Sequence, residues 1–176
     1  MSAYQTSTMD TSGTSELHPL YDKWTLWAHL PHDTDWSLKS YKTIMTLETI
    51  EDGLALSRAL PEKLVKNCML FLMREGISPT WEDPKNRHGG CFSFKVKNSV
   101  VPMIWKRLSF ALMGETLTNN NKMLSSMTGI TISPKKSFCI IKIWMSNCNI
   151  QSAQTLTEIP GLTIAGCIFK KHKPEY

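Results

Sequence analysis

The 176-residue sequence contains no uncharged hydrophobic run near the ~20 residues that a membrane-spanning helix needs, so we expect no membrane partner. Its five cysteines are odd in number and include no Cys-x-x-Cys pair, which argues against a disulfide framework and a zinc site. We therefore expect no metal, no cofactor and a reducing, cytoplasmic location. No segment resembles a signal peptide, and the Ser- and Thr-rich residues 1–17 predict a disordered tail ahead of one monomeric domain at residues 18–176.

The charge balance is positive, with a formal net charge of +5. Basic residues concentrate at Lys135, Lys136, Lys142 and residues 170–173. Such patches suit a polyanionic partner. The alternative is that surface lysines only keep the protein soluble. Solubility does not explain six tryptophans in a chain of this length, so the aromatic residues are the stronger indication of function.

Hydrophobic periodicity predicts an α+β domain, a curved, mainly antiparallel sheet with helices on one face. Alternating apolar residues predict strands over residues 22–30, 41–48, 68–74, 91–97, 129–134, 138–145 and 162–169. Thr49 is the predicted N-cap of a short helix that Pro61 ends. The clearest helix is predicted over residues 98–113, and a short one over residues 149–158.

Two tryptophans, Trp36 and Trp81, occur in polar, turn-rich segments between predicted strands. A tryptophan normally buries its large apolar surface. Two of them in loops therefore indicate a stacking platform for a flat ligand. The alternative for each one alone is a lid over the core.

Glu82 follows Trp81 directly and places a carboxylate beside the predicted platform. Guanine presents two parallel donors that a carboxylate can accept, and adenine presents no such pair. A guanine methylated at N7 is cationic and gains cation–π attraction to two indoles, which favours it over plain guanine by about tenfold or more. The alternative is an ordinary exposed acid in an acidic loop.

A nucleotide's phosphates need cations beyond the stacked base, and three lysines are candidates. Lys135 and Lys136 fall at the tip of the predicted hairpin, and Lys142 shares a strand face with Trp144 by alternation. Lys142 and Trp144 are therefore predicted to point into one groove. The alternative is a solvated hairpin tip with Trp144 in the core.

Taken together, these residues resemble the eukaryotic translation initiation factor 4E family, from His18 to about His172. The most specific match is the run Gly-Ile-Ser-Pro-Thr-Trp-Glu-Asp-Pro-Lys-Asn at residues 76–86, followed by Gly89-Gly90. The other matching positions are His18-Pro19-Leu20, Trp24, Trp27, Thr49-Ile50-Glu51-Asp52, Trp105, Gly114-Glu115 and Ile143-Trp144.

The resemblance implies a protein that binds the 7-methylguanosine cap of mRNA and recruits the mRNA for translation initiation, without catalysis. By this likeness Trp36 and Trp81 sandwich the base, Glu82 reads guanine, and Trp144 lies near the N7-methyl group. The implied fold has helices on the convex face of the sheet and the ligand in the concave face. Phosphate contacts fall to Lys135, Lys136 and Lys142, although Ile140 stands where the family has a phosphate-binding lysine.

The resemblance also implies a dorsal surface that binds scaffold or inhibitor proteins through a peptide. Its residues here are His18, Pro19, Leu20, Ile50, Leu54, Trp105, Lys106, Arg107 and Phe110. Leu54 replaces a hallmark tryptophan, and Arg107 inverts the charge of a glutamate. These departures keep open a competitor or repressor of translation that binds caps. Two other hypotheses are that the protein is an enzyme acting on caps, or that it has this fold but only binds other proteins.

Overall fold

The computed structural model describes residues 16–175. The predicted tail at residues 1–17 lies outside the described residues apart from Glu16 and Leu17, which are exposed. The strands of the described chain are β1 (Pro19–His29), β2 (Lys42–Thr49), β3 (Met69–Arg74), β4 (Gly90–Lys97), β5 (Met127–Pro134), β6 (Phe138–Met145) and β7 (Ile168–Lys171). The helices are α1 (Ile50–Ala59), α2 (Glu62–Asn67), α3 (Val101–Met113) and α4 (Asn121–Ser126), with single 3-10 turns at Leu38–Ser40 and Ala153–Thr155.

The strands form one curved, antiparallel sheet in the order β2-β1-β3-β5-β6-β4-β7, which confirms the predicted α+β fold class. Alternation along β1 sends Trp24 and Leu26 into the main core, while Trp27 belongs to a smaller cluster elsewhere. The helices pack on the main core through apolar residues such as Val65 and Leu108. Burying side chains of this kind contributes about 1.5–3 kcal/mol each. Helices thus cover the convex face, and the concave face remains open.

Helix α1 begins as the sequence predicts, with a capping box at Thr49. The Thr49 hydroxyl accepts a hydrogen bond from the Asp52 amide at 3.1 Å, and the Asp52 carboxylate accepts one from the Thr49 amide at 2.9 Å. These bonds satisfy amides that the first helical turn leaves without partners. Hydrogen bonds from the backbone of Glu48 and from Thr49 lower the pKa of Asp52.

Arg74 joins one end of the sheet to the helical layer. Its guanidinium pairs with Asp22 and with Glu115, the latter at 2.7 Å, and its Nε donates to the Met127 carbonyl at 2.8 Å. The same group lies 4.6 Å from the ring centroid of Trp24. Since only 13% of the Arg74 side chain is exposed, the pairing compensates a charge that is largely removed from water.

The predicted helix over residues 149–158 is wrong, because the structure has only the 3-10 turn Ala153–Thr155 there. Its polar run supplies few core residues, and Ser152 makes no capping hydrogen bond. The predicted strand at 162–169 is also displaced, since β7 covers only Ile168–Lys171. Gly161 and Gly166 have positive φ angles of 91° and 85°, which turn the chain before the strand begins.

In the part of the chain that the structure describes, no helix is long and apolar enough to cross a membrane.

Candidate ligand-binding site

The concave face of the sheet holds an open cavity of about 480 Å³, a volume within the range of small-molecule sites. Five of its fourteen lining residues are aromatic, and one lysine and two glutamates are among the others. The lining residues are Trp36, Ser37, Tyr41, Met69, Phe71, Pro79, Thr80, Trp81, Glu82, Thr131, Ser133, Lys142, Trp144 and Glu175. Two loops, three strands and the C-terminal segment therefore meet at one site.

Trp36 lies on the loop between β1 and β2 and is 55% exposed, which makes it one of the most exposed large apolar residues described. Asp35 accepts hydrogen bonds from the Ser37 amide at 2.8 Å and the Ser37 hydroxyl at 3.0 Å. These two bonds lower the pKa of Asp35. The indole stacks on the ring of His29, with centroids 4.2 Å apart. The loop thus presents an indole that one neighbouring ring already supports.

Trp81 and Glu82 lie on the loop at residues 75–89, which internal hydrogen bonds fix. Asp83 accepts from the Ser78 amide at 2.7 Å and the Lys85 amide at 2.8 Å. The fully buried Asn86 side chain donates to the carbonyls of Ser78 and Thr80. A loop of this kind holds the Trp81 ring and the Glu82 carboxylate at a defined place without help from a regular element.

The Glu82 carboxylate is half-buried and accepts a hydrogen bond from the Glu175 amide at 3.2 Å. Glu175 belongs to the C-terminal segment, whose His172 amide donates to the Gly89 carbonyl at 3.0 Å. The Glu175 N–H thus points at one carboxylate oxygen of Glu82. The carboxylate is therefore oriented to accept hydrogen bonds at the edge of the cavity.

Trp144 is buried and lies on the floor of the cavity, as the strand alternation of β6 predicts. Its Nε1 donates to the Thr131 hydroxyl at 3.1 Å, which fixes the indole plane against β5. Trp144 pairs across the sheet with Cys91, and both belong to the small apolar cluster on this face. The alternative that placed Trp144 in the core is partly right, since this cluster is a core beneath the cavity.

The three predicted phosphate lysines lie at different places. Lys142 lines the cavity, with its Nζ 5.8 Å from the ring centroid of Trp81. Lys135 and Lys136 are exposed in the turn between β5 and β6 and do not line the cavity. Lys170 pairs with Cys91 across β4 and β7, which places it on the concave face as well.

Electrostatics agree with this placement of Lys142 and Lys170. Burial raises the pKa of the Cys91 thiol, and the charges of Lys142 and Lys170 oppose part of that rise. Both ammonium groups therefore lie close enough to Cys91 to act on it. A cationic strip runs beside the aromatic part of the cavity and suits an anionic group on a stacked ligand.

Among the described residues, no group of three or more His, Cys, Asp or Glu side chains could hold a metal ion. The cavity instead offers aromatic surfaces, the carboxylates of Glu82 and Glu175, and the Lys142 ammonium. This set is chemically suited to a flat, donor-bearing ring with an attached anion. Sequence reasoning missed Tyr41, Met69 and Phe71 in the lining, although the alternation of β3 puts Met69 and Phe71 on one face.

A second cavity of about 330 Å³ lies on the opposite side, between α1, α2 and α3. Its lining is mainly apolar. The lining residues are Gly53, Leu56, Ser57, Leu60, Glu62, Val65, Pro102, Met103, Trp105, Lys106, Ser109, Phe110 and Met113. Trp105, Lys106 and Phe110 of the predicted partner surface line this dorsal groove, and Trp105 lies almost wholly buried in its floor.

The other predicted partner residues lie around the dorsal groove without lining it. Ile50 and Leu54 are exposed on α1, at 49% and 42%. The His18 ring contacts the Glu51 carboxylate at 2.8 Å, and its carbonyl accepts from the Ile50 amide at 2.8 Å. Arg107 donates to the Pro160 carbonyl at 2.6 Å, so its guanidinium is turned toward a neighbouring loop.

Pro19 and Leu20, the first residues of β1, make different contacts. Pro19 pairs with Thr49 at the start of β1, and Leu20 packs against the main core. Lys106 lies 5.7 Å from the ring centroid of Phe110, which is only half-buried. The predicted partner residues therefore lie at the start of β1, on α1 and on α3. Lys106 and Arg107 make the α3 side of this surface basic.

Comparison with known proteins adds an independent observation. The model of the family described as eukaryotic initiation factor 4E matches residues 19–171. Eukaryotic translation initiation factor 4E-2 of Schizosaccharomyces pombe is 34% identical over 141 residues, which cover 75% of this chain and 55% of the relative. Eukaryotic translation initiation factor 4E of Eremothecium gossypii is 33% identical over 134 residues, covering 72% and 62%. The chain therefore spans less than two thirds of either relative.

Solved structures agree on the fold. The crystal structure of schistosome eIF4E complexed with m7GpppA and 4E-BP has a TM-score of 0.68 at 25% identity, covering 76% of this chain and 74% of that chain. The complex of C. elegans eIF4E-3 with the 4E-binding protein Mextli and a cap analogue has a TM-score of 0.69 at 22% identity, covering 79% and 80%. With the family model matching nearly all of its described residues, this chain belongs to the eukaryotic initiation factor 4E family.

Proposed function

We propose that this chain binds the 7-methylguanosine cap of mRNA in the concave cavity and so recruits the mRNA for translation initiation. One observation carries the proposal. Trp36 and Trp81, which belong to two separate loops, line a single cavity together with the Glu82 carboxylate and the Lys142 ammonium. Those groups match the base, the Watson–Crick edge and the phosphates of a cap.

The base binds by stacking between Trp36 and Trp81. Stacking on an aromatic side chain contributes about 1–3 kcal/mol per base, and a cationic base adds about 0.5–2 kcal/mol of cation–π attraction. Trp144 on the cavity floor faces the same space and contacts the N7-methyl group. The apolar cluster beneath the floor keeps water away from this end of the base.

Guanine is selected by Glu82. The two donors on the Watson–Crick edge replace the Glu175 amide that now bonds the carboxylate at 3.2 Å. One hydrogen bond is exchanged for two, and both run from a cationic base to an anion, which strengthens them. An adenine in the same place would leave the carboxylate facing a ring nitrogen that repels it.

The phosphates extend from the base past the Lys142 ammonium. Lys142 lines the cavity and takes the first contact, while Lys135 and Lys136 at the exposed turn between β5 and β6 act on phosphates farther out. A lysine provides a point charge and not the two-pronged geometry of arginine. The phosphate contribution is therefore sensitive to salt.

A fluorescence titration tests this function. Binding of 7-methyl-GTP quenches the tryptophans, and plain GTP serves as the ligand control. Glu82→Gln is expected to weaken 7-methyl-GTP binding by about 10- to 100-fold, since hydrogen bonds to a charged group contribute about 1.5–3 kcal/mol. Tyr21→Ala, at a residue 85% exposed and outside the cavity, is the matched control. Equal weak binding of both ligands to the wild type would refute the proposal.

The dorsal groove is proposed to bind a scaffold or inhibitor protein through residues His18, Pro19, Leu20, Ile50, Leu54, Trp105, Lys106, Arg107 and Phe110. A second candidate function is a competitor that holds caps without engaging the usual scaffold. The basic side chains of Lys106 and Arg107 favour it, because they oppose a basic partner peptide. Capture of a standard scaffold peptide would support recruitment, and its failure alongside intact cap binding would support the competitor.

We further propose that the chain acts in the cytoplasm as a monomer and without catalysis. Its cavity combines aromatic surfaces with the carboxylates of Glu82 and Glu175 and the Lys142 ammonium, which suits retention of a ligand. Incubation with a capped oligonucleotide should leave the cap intact. Release of a methylated nucleotide would overturn this part of the proposal.

A further inference from the structure

Each stacking indole lies against a histidine that the motifs do not include. The His29 ring stacks on Trp36 with an interplanar angle of 2°, and the His172 ring stacks on Trp81 at 5.7 Å and 14°. His29 is only 2% exposed and His172 only 6%, and neither lines the cavity. Both imidazoles therefore lie behind the cavity wall that the indoles form.

Each imidazole also holds the loop that carries its indole. His29 Nε2 lies 2.8 Å from the carbonyl oxygen of Asp35, the residue before Trp36. His172 Nδ1 lies 2.8 Å from the carbonyl oxygen of Asn86, on the same loop as Trp81. A carbonyl oxygen only accepts, so the bonded ring nitrogen carries a hydrogen in both cases. Each of the two histidines thus both stacks on an indole and bonds to the loop that carries it.

The environment of the second ring nitrogen of His172, Nε2, disfavours a protonated, cationic ring. His172 Nε2 is buried and has no hydrogen-bond partner within residues 16–175. A proton there would be a buried N–H without an acceptor, which is costly. It would also place positive charge behind Trp81, on a ring whose centroid lies 4.8 Å from that of Trp144, close to the site of the cationic base.

Charged neighbours of His172 oppose one another. Burial lowers the pKa of His172 and Lys142 on β6 lowers it further, while the hydrogen bond to the Asn86 carbonyl and the charge of Glu82 raise it. The balance leaves the pKa below the ordinary histidine value of 6.5. At neutral pH the ring is therefore uncharged, with its hydrogen on Nδ1.

We propose that His29 and His172 are positioning residues, each fixing one stacking indole and its loop, and that the neutral Nδ1–H form of His172 is the form that binds the cationic base. This inference rests on the proposed cap-binding function. If binding requires the neutral ring, affinity holds through neutral pH and then falls by up to about tenfold per pH unit below the pKa of His172.

The test measures the Kd of 7-methyl-GTP from pH 8 down to one unit below the pKa of His172, which an NMR titration of the imidazole locates, for the wild type and two variants. His172→Asn keeps a donor near Nδ1 and does not titrate, and His172→Phe keeps a ring without the donor. Dividing each variant's Kd by the wild-type Kd at the same pH cancels the titration of the ligand and of shared groups. Wild type should bind at least threefold tighter at pH 8, and this ratio should fall toward acid pH.

A ratio that stays constant with pH, or variants equal to the wild type at pH 8, would overturn the inference. Failure of the wild type to bind at pH 8 would instead refute the proposed function. For His29, His29→Gln keeps a donor at the Nε2 position and should retain more affinity than His29→Ala. Equal losses in these two variants would contradict attachment of the loop through Asp35.

A nitrogen NMR spectrum of the imidazoles tests the charge state without ligand and without mutation. At pH 7.5 the signal of His172 should show a protonated Nδ1 and an unprotonated Nε2. A cationic ring or the Nε2–H form at that pH would overturn the inference even if every variant bound weakly.

Discussion

Replacing Asn86 by alanine is expected to lower stability and cap affinity together. The Asn86 side chain is fully buried, and its Nδ2 donates to the Ser78 carbonyl at 3.0 Å and the Thr80 carbonyl at 2.9 Å. A hydrogen bond contributes about 0.5–1.5 kcal/mol net, and an acceptor left buried without a partner costs about 1–3 kcal/mol. Because both carbonyls are only part-buried, the net value for two lost hydrogen bonds applies, and it predicts a destabilisation of roughly 1–3 kcal/mol.

Urea unfolding measures the first effect and a 7-methyl-GTP titration the second. If the loop detaches to hydrate its carbonyls, stability falls less but the Trp81 ring loses its fixed position, and the Kd rises by about tenfold or more. Asn119→Ala, at an exposed asparagine, is the matched control. A change below about 0.5 kcal/mol together with an unchanged Kd would show that Asn86 does not organise this loop.

Three further substitutions test the sheet, the phosphate contact and the loop end. Arg74→Met should cost about 3–5 kcal/mol in thermal or urea unfolding, because it leaves the Glu115 carboxylate without its buried partner; a loss below 1 kcal/mol would contradict this. Lys142→Met should weaken 7-methyl-GTP by about tenfold while sparing 7-methylguanosine, and equal effects on both would exclude a phosphate contact. Gly89→Ala should cost about 3 kcal/mol or more, since its Cβ would lie 1.7 Å from the Met145 carbonyl oxygen; wild-type stability in urea would refute the close approach.

The sequence was sufficient for features that depend on neighbours along the chain. Strand alternation predicted that Lys142 and Trp144 point into one groove, and both line the cavity. The capping residues at Thr49 and Asp52 predicted the start of α1. Periodicity in these segments agrees with the tertiary environment, so a local pattern was enough.

Features that depend on residues far apart in sequence could not be read in this way. The pairing of Cys91 with Lys170 across β4 and β7 fixes which lysine accompanies Lys142, and only the register decides it. Lys135 lies in the turn between β5 and β6 and does not line the cavity, and this placement also depends on the tertiary fold. The contact of Glu175 with Glu82 joins residues 93 positions apart, beyond the range of any periodic pattern.

The two histidines show the same limit. A single histidine in a strand or near a chain end has no distinguishing spacing, so neither His29 nor His172 gives a signal in the sequence. Only the tertiary fold brings the His29 ring against Trp36 and the His172 ring against Trp81. The predicted helix over residues 149–158 is wrong for another reason: the Gln151 and Thr155 side chains donate to backbone carbonyls there, and only a single 3-10 turn forms.

The most direct test of cap binding is a crystal structure of this chain with 7-methyl-GTP. We predict that the methylated base lies between the indoles of Trp36 and Trp81, with its Watson–Crick edge within hydrogen-bond distance of Glu82 in place of the Glu175 amide, and that a phosphate lies beside Lys142. A nucleotide bound outside the concave cavity, or a base that leaves Glu82 bonded to Glu175, would contradict it.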